Sequence, residues 1–195
     1  MSHYFETPAT QGPRREITAT IWGRPHAFAT APGVFSGGRL DLGTSVLLRE
    51  VDPPESGHVL DLGSGFGPIT VALASSSDGV TVDAVDTNEV AVELTRLNAD
   101  RAGVGGRVRA FTPDAAPDAT YDEIWSNPPI RIGKDALHEL LLRWLPRLRP
   151  GGAAYLVVGR NLGADSLQRW LDDQGYPCER LASAKGFRVL RATRP

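Results

Sequence analysis

The sequence predicts an α/β protein built on a doubly wound, Rossmann-like sheet, and three observations predict it. Short, partly β-branched runs alternate with stretches of helical periodicity, the pattern of parallel strands covered by helices on both faces. A glycine-rich turn, Asp61-Leu-Gly-Ser-Gly-Phe-Gly67, joins the first core run to a helix, where an open α/β sheet meets its ligand. An acidic residue, Asp86, closes the second run at the same end of the sheet.

In chain order, residues 15–22 and 26–30 read as a separate small β-ribbon, and 44–50 as a short helix. Five core strands follow at 58–62, 80–85, 107–111, 121–126 and 153–158, each a short run bounded by turn residues. Pro68 suits the first turn of the helix that the glycine turn opens. Val90, Ala91, Leu94, Leu97 and Asn98 recur at helical spacing behind two candidate N-caps, Thr87 and Asn88. Leu137, Leu140, Leu141, Trp144, Leu145 and Leu148 form another apolar stripe, stopped by Arg149-Pro-Gly-Gly152. Both stripes read as core. A last helix with Leu167, Trp170 and Leu171 ends at Gly175, and residues 178–191 read as an antiparallel hairpin at the sheet edge, turning around Ser183-Ala-Lys-Gly186.

The bulk numbers bound what this fold is for. A chain of 195 residues, 41% hydrophobic and 23% charged, suits a single domain with a sizeable core. Residues 1–195 are read as that domain, with 1–52 forming the ribbon and lid helix and 53–195 the core. No run is long and apolar enough to span a bilayer, and the first residues lack the apolar centre of a secretory signal, so a cytoplasmic protein without a membrane partner is expected. One cysteine, Cys178, excludes an internal disulfide, and four scattered histidines suggest no metal. A formal charge of -2 means that any nucleic acid would be met by a local patch. Only Lys134 and Lys185 among the basic residues are lysines; the arginine excess fits RNA contacts and a GC-rich genome equally well.

Within the glycine turn, Gly63 and Gly65 allow a sharp bend and close approach of a nucleoside-bearing ligand to the backbone, with Ser64 between them. A dinucleotide-binding turn carries its third glycine where this chain has Pro68; here the glycine falls one position earlier, at Gly67, and Asp61 precedes the turn. This form resembles motif I of class I methyltransferases that use S-adenosylmethionine (SAM). Asp86 suits the two ribose hydroxyls, a role shared by NAD and SAM sites, with Thr87 beside it. Asp114, after the third core strand, is a candidate for the adenine amino group.

Ser126-Asn127-Pro128-Pro129 follows the fourth core strand. An exocyclic amine on a base has its lone pair delocalised into the ring, so a methyl acceptor of this kind must be reshaped by its site. The Asn127 oxygen and the Pro128 carbonyl can each accept one amine hydrogen and turn the lone pair toward the methyl group, while Pro128 and Pro129 fix φ and remove competing donors. Such a transfer needs no strong general base and no metal. The pattern names the atom attacked and leaves the substrate open.

Pro32-Gly-Val-Phe-Ser36, Leu40-Asp-Leu-Gly-Thr44, the glycine turn, residues 126–130 and Gly186-Phe-Arg-Val-Leu190 together resemble, in order and over most of the chain, the RsmC-like "methyltransferase small domain" family. The resemblance implies a seven-stranded, mostly parallel sheet with an antiparallel last strand, SAM as donor with S-adenosylhomocysteine as product, and guanine N2 of ribosomal RNA as target. It also implies that residues 33–36 and 41–44, Thr44 among them, close over the cofactor. Two departures qualify it. Ile130, followed by Arg131, stands where most relatives carry a base-stacking aromatic ring, so stacking would come from Phe35, Phe187 or the Arg131 guanidinium. The bacterial guanine enzymes also carry a second, degenerate domain, which this chain is too short to hold. A protein-glutamine or adenine-N6 methyltransferase, a non-catalytic SAM- or RNA-binding module and an NAD oxidoreductase stay open as alternatives, as does the oligomeric state, a monomer included.

Overall fold

The computed structural model describes residues 14–34, 39–129 and 133–195. Two strands, β1 (Arg15–Ile21) and β2 (Arg24–Thr30), form an antiparallel ribbon ahead of helix α1 (Leu42–Glu50). The alternating core follows as β3 (Ser56–Leu62), α2 (Pro68–Ser76), β4 (Gly79–Val85), α3 (Glu89–Arg101), β5 (Val108–Phe111), β6 (Tyr121–Ser126), α4 (Lys134–Trp144), β7 (Leu148–Gly159) and α5 (Ala164–Asp173), and closes with β8 (Cys178–Ala184) and β9 (Phe187–Thr193). Seven strands pair in the order β5-β4-β3-β6-β7-β9-β8. The first five are mutually parallel, and β9 runs antiparallel to both neighbours.

Strand order reverses between β3 and β6, which opens a crevice beyond their carboxyl ends. The Ser126 hydroxyl donates to Leu62 O at 2.6 Å and ties the two strand ends together. Both sheet faces are covered, so side chains alternate between two cores. Val59, Trp125, Val157 and Val189 face α1, α2, α3 and the ribbon, whereas Leu60, Ile124, Leu156 and Leu190 face α4 and α5. The continuous apolar run from Ala153 to Val158 in β7 follows from that double burial.

The ribbon is anchored by its own turn. Trp22 adopts φ +46°, a costly conformation for a bulky residue, and is held there by its Nε1 donating to Val51 O (3.2 Å) and by its ring meeting Trp125 edge-on at 6.1 Å.

Beyond shifts of a residue or two at strand ends, four features differ from the expectation. Helix α1 begins at Leu42 because Asp41 caps it, its side chain accepting from Thr44 N. Asn88, and not Thr87, caps α3, accepting from Val90 N at 3.0 Å. Arg149 to Gly152 does not stop α4, which ends at Trp144; a short 3₁₀ turn containing Pro146 intervenes, and Leu148 already opens β7. Proline lacks the N–H that another α turn requires, while Gly151 N and Gly152 O pair with Arg194 beyond β9. Finally, only β8 of the terminal hairpin lies at the edge; β9, whose Val189, Leu190 and Ala192 are buried, slots between β7 and β8. No helix of the described residues is long and apolar enough to cross a membrane.

Candidate active site

The glycine turn spends its own backbone donors. Gly63 N and Ser64 N both donate to Val85 O (2.8 and 3.1 Å), Gly67 N donates to Ser64 O (2.9 Å), and Gly65 N donates to the Asp86 carboxylate (2.8 Å). A pyrophosphate cradle needs such amides unpaired and pointing at the ligand. Gly67, the N-cap of α2, sits at φ +89°, and a Cβ there would lie 3.0 Å from the Thr95 side chain and 3.1 Å from its Cα. Thr95 in turn donates to Gly65 O (3.1 Å) and meets the Ser64 hydroxyl at 3.3 Å. Close packing of turn against α3 is therefore what requires glycine at this position.

Carboxylates surround the turn. Asp61 is fully buried, and one of its oxygens, Oδ2, accepts from Thr70 N (3.0 Å) and Thr70 Oγ1 (2.6 Å). Its other oxygen, Oδ1, is buried without a hydrogen-bond partner among the described residues. Burial pushes the Asp61 carboxyl up to about 7, against the Thr70 hydrogen bonds and with some repulsion from Asp86. The Asp86 oxygens accept from Gly65 N and from Asn88 N (2.9 Å), and each keeps a lone pair for a further donor. Thr87 is exposed beside it. The Asp114 side chain is 96% exposed and pairs with Arg143 at 3.2 Å.

Asn127 leaves the end of β6 on the far side of the crevice. Its Nδ2 donates to Asp41 Oδ2 at 2.7 Å and to Thr44 Oγ1 at 3.0 Å, which brings the start of α1 over the glycine turn. Pro128 is buried and Pro129 exposed. The resulting cleft has Asp41, Thr44 and Asn127 on one wall, and residues 63–66, Pro68 and Ile69 on the other. Phe187, at the start of β9, reaches the same place: a Cβ added to Gly43 would lie 3.0 Å from its ring and 3.3 Å from Asn127 Nδ2. Phe35, Ile130 and Arg131 lie outside the described residues. No group of three or more metal-ligating side chains converges among the described residues.

The sequence places Asp41 only within the 41–44 segment expected to close over the cofactor, and gives it no contact of its own. Its position just ahead of a helical stretch, in Leu40-Asp-Leu-Gly-Thr44, signals an N-cap, but nothing local announces its partner 86 positions away. Asn98 is a second surprise. Read as part of an apolar stripe, it is a fully buried amide that exchanges hydrogen bonds with Ala29 N and O (2.7 and 2.9 Å) and donates to Phe66 O (2.8 Å), tying ribbon, α3 and glycine turn together.

The sequence matches the methyltransferase small domain over residues 25–191. The chain belongs to that family. Among its relatives, a ribosomal RNA small subunit methyltransferase C of Pseudomonas entomophila is 35% identical over 199 residues, covering all of this chain and 55% of that protein. An uncharacterized Bacillus subtilis protein, YbxB, is 29% identical and covered over 96% of its length. In structure, the chain superposes on a T. thermophilus 16S rRNA N2 methyltransferase, RsmC, solved with AdoMet and guanosine, with a TM-score of 0.83 at 28% identity. That match covers 96% of this chain and 52% of the other. The chain thus spans about half the length of the named rRNA methyltransferases that it matches.

Proposed function

We propose that this methyltransferase small domain transfers the methyl group of SAM to an exocyclic amine, guanine N2 of ribosomal RNA. One observation carries the reading. The donor end of Asn127 is fully engaged by Asp41 and Thr44, and the residue stands across the cleft from a glycine turn whose surroundings favour a cation over a pyrophosphate. The turn's amides donate within the protein, and buried Asp61 holds an acceptor without a partner, so a ligand with a positive charge fits where an NAD pyrophosphate does not. Membership of the family and the named relatives support both cofactor and base.

SAM, when bound, supplies the methyl group as an electrophilic sulfonium. Asp86 would hold the ribose hydroxyls, and residues 63–65 with Asp61 the amino-acid end; Thr44, Thr87 and Asp114 are further candidates. The chemistry left to the chain is positional. The Asn127 oxygen and the Pro128 carbonyl accept the two amine hydrogens, pull the nitrogen toward tetrahedral geometry, and stabilise the charge that grows on it. Phe187 offers a ring for stacking beside this position, a task for which Phe35 and the Arg131 guanidinium are the other candidates, with Ile130 a further candidate for contact with the substrate. Arg160 N donates to Gly186 O at 2.8 Å, so the turn after β7 abuts the hairpin that carries Lys185 and Phe187; Arg160, Lys185 and Lys134 are all exposed and form the candidate rim for an RNA backbone.

The test is transfer of tritiated methyl from SAM to hypomethylated ribosomal RNA, with transfer RNA and release factor as competing acceptors. Nuclease digestion should yield N2-methylguanosine, and Asn127→Ala should depress turnover far more than it weakens SAM. Label in N6-methyladenosine, or retained in protein, sinks the guanine assignment.

A further inference from the structure

We infer that Asp41 is the positioning residue that fixes the working orientation of the Asn127 amide. The inference deepens the N-methyltransferase reading and rests on it for the chemistry, though not for the geometry. An amide side chain has two nearly isosteric ends, and turning it by half a revolution exchanges an acceptor for a donor at no steric cost. For a site that must accept hydrogens from an amine, the reversed amide is fatal: Nδ2 would then face the substrate, donor against donor. Neighbours must choose the orientation.

Asp41 makes the choice. An ionised carboxylate only accepts, so the atom 2.7 Å from Asp41 Oδ2 has to be the amide nitrogen. The second proton of that nitrogen goes to Thr44 Oγ1 at 3.0 Å. With both protons engaged, Oδ1 is the end turned away from α1. Asp41 is itself immobilised: Oδ2 also accepts from Thr44 N (3.1 Å), and its carbonyl accepts from Ser45 N (2.8 Å) and Ser45 Oγ (2.9 Å). Gly43 lets this helix start come close, since a Cβ there would lie 3.0 Å from Asp41 Oδ2 and 3.3 Å from Asn127 Nδ2.

The charge of Asp41 adds to its geometry. A carboxylate on the NH₂ end draws amide electron density toward Oδ1 and strengthens it as an acceptor. During transfer the nitrogen–carbon bond forms as the carbon–sulfur bond breaks, and positive charge passes from sulfur to the amine nitrogen before water takes the extra proton. A fixed negative charge behind the amide favours that shift.

A capping role alone would explain Asp41 without any link to catalysis, and Asp41→Ser separates the two because serine caps helices as well as aspartate does. The expected result is a kcat lowered roughly 10- to 100-fold with the SAM dissociation constant changed by less than about threefold. The Asp41→Ser/Asn127→Ala double variant should be no slower than Asn127→Ala, as for residues acting in one chain. An unchanged kcat in Asp41→Ser, or additive losses in the double variant, overturns the proposal. A readout independent of turnover completes the test: the side-chain amide proton–nitrogen signal of Asn127, identified by its loss in Asn127→Ala, should exchange slowly with solvent in the native protein and quickly in Asp41→Ser. Equal exchange overturns the positioning role. An Asp41-dependent amide signal in a protein that methylates no guanine supports the positioning role and refutes the substrate reading instead.

Discussion

Asp61 carries the largest unfavourable burial in the site, and its cost has a sign that can be worked out. Burial pushes its carboxyl in the folded chain up to about 7, from 3.8 for an exposed aspartate. Because the raised value belongs to the folded state, the stability it confers is complete below about pH 4 and is lost as pH rises to about 7, where the unfolded chain has already released its proton. The shift corresponds to at most about 4 kcal/mol between those limits. Asp61→Asn should flatten this part of the pH–stability curve, and thermal melts of both proteins between about pH 5 and pH 8 measure it. The native protein should also bind SAM more tightly as pH rises through about 7, since a cationic ligand favours the ionised carboxyl whose Oδ1 lacks a partner. Parallel melting curves would refute the raised carboxyl, and pH-independent SAM binding would detach Asp61 from the ligand.

At the scale of elements, the ribbon is the part whose role the sequence conceals. Strands β1 and β2 pair only with each other, yet Asn98 of α3 satisfies both backbone groups of Ala29 and also Phe66 O at the glycine turn. Asn98→Ala would leave three polar groups without that partner, with an expected loss of about 2 to 4 kcal/mol. Since Phe66 lines the cleft, SAM affinity should fall in the same variant; denaturant titration and calorimetry check the two effects, and native-like stability would remove Asn98 from this role. The strands themselves were legible because burial on both faces leaves short segments rich in apolar residues between turn residues, most plainly Ala153 to Val158. Helix α4 was read too long for a related reason. Leu145 and Leu148 are as buried as the stripe before them, but they belong to the 3₁₀ turn and to β7, and hydrophobicity alone does not record a change of backbone conformation.

At the scale of the whole molecule, the proposed ligand cleft lies where two halves of one sheet meet. Both walls of the cleft stem from elements that pack on the same core, α1 and α2 among them. SAM should therefore stabilise the entire chain and not only the turn. At a concentration of about 100 times its dissociation constant the linkage is about 2.7 kcal/mol, a rise in Tm of roughly 5 to 10 °C for a domain of this size. NAD at equal concentration should leave the melt unchanged; the converse result would return the chain to the dinucleotide-binding proteins. A buried polar network holds the sheet away from the cleft: Asp83, 1% exposed, accepts two hydrogen bonds from Arg109 and one from Tyr121, with His58 Nε2 at 3.1 Å.

The sequence by itself determined whatever depends on neighbours along the chain: the alternating elements, the glycine turn ahead of Pro68, Asp86 at a strand tip, and Asn127 followed by two prolines. These are local because backbone conformation and strand burial are set within a few residues. Tertiary structure decided the pairings. That β9 slots inside the sheet, that Asn98 bridges ribbon and turn, and that Asp41 engages the donor end of Asn127 depend on groups 69 and 86 positions apart being brought within hydrogen-bond reach. A polar side chain at one position carries no record of which distant partner will satisfy it; only the folded chain, which cannot leave buried donors and acceptors unpaired at small cost, makes that assignment.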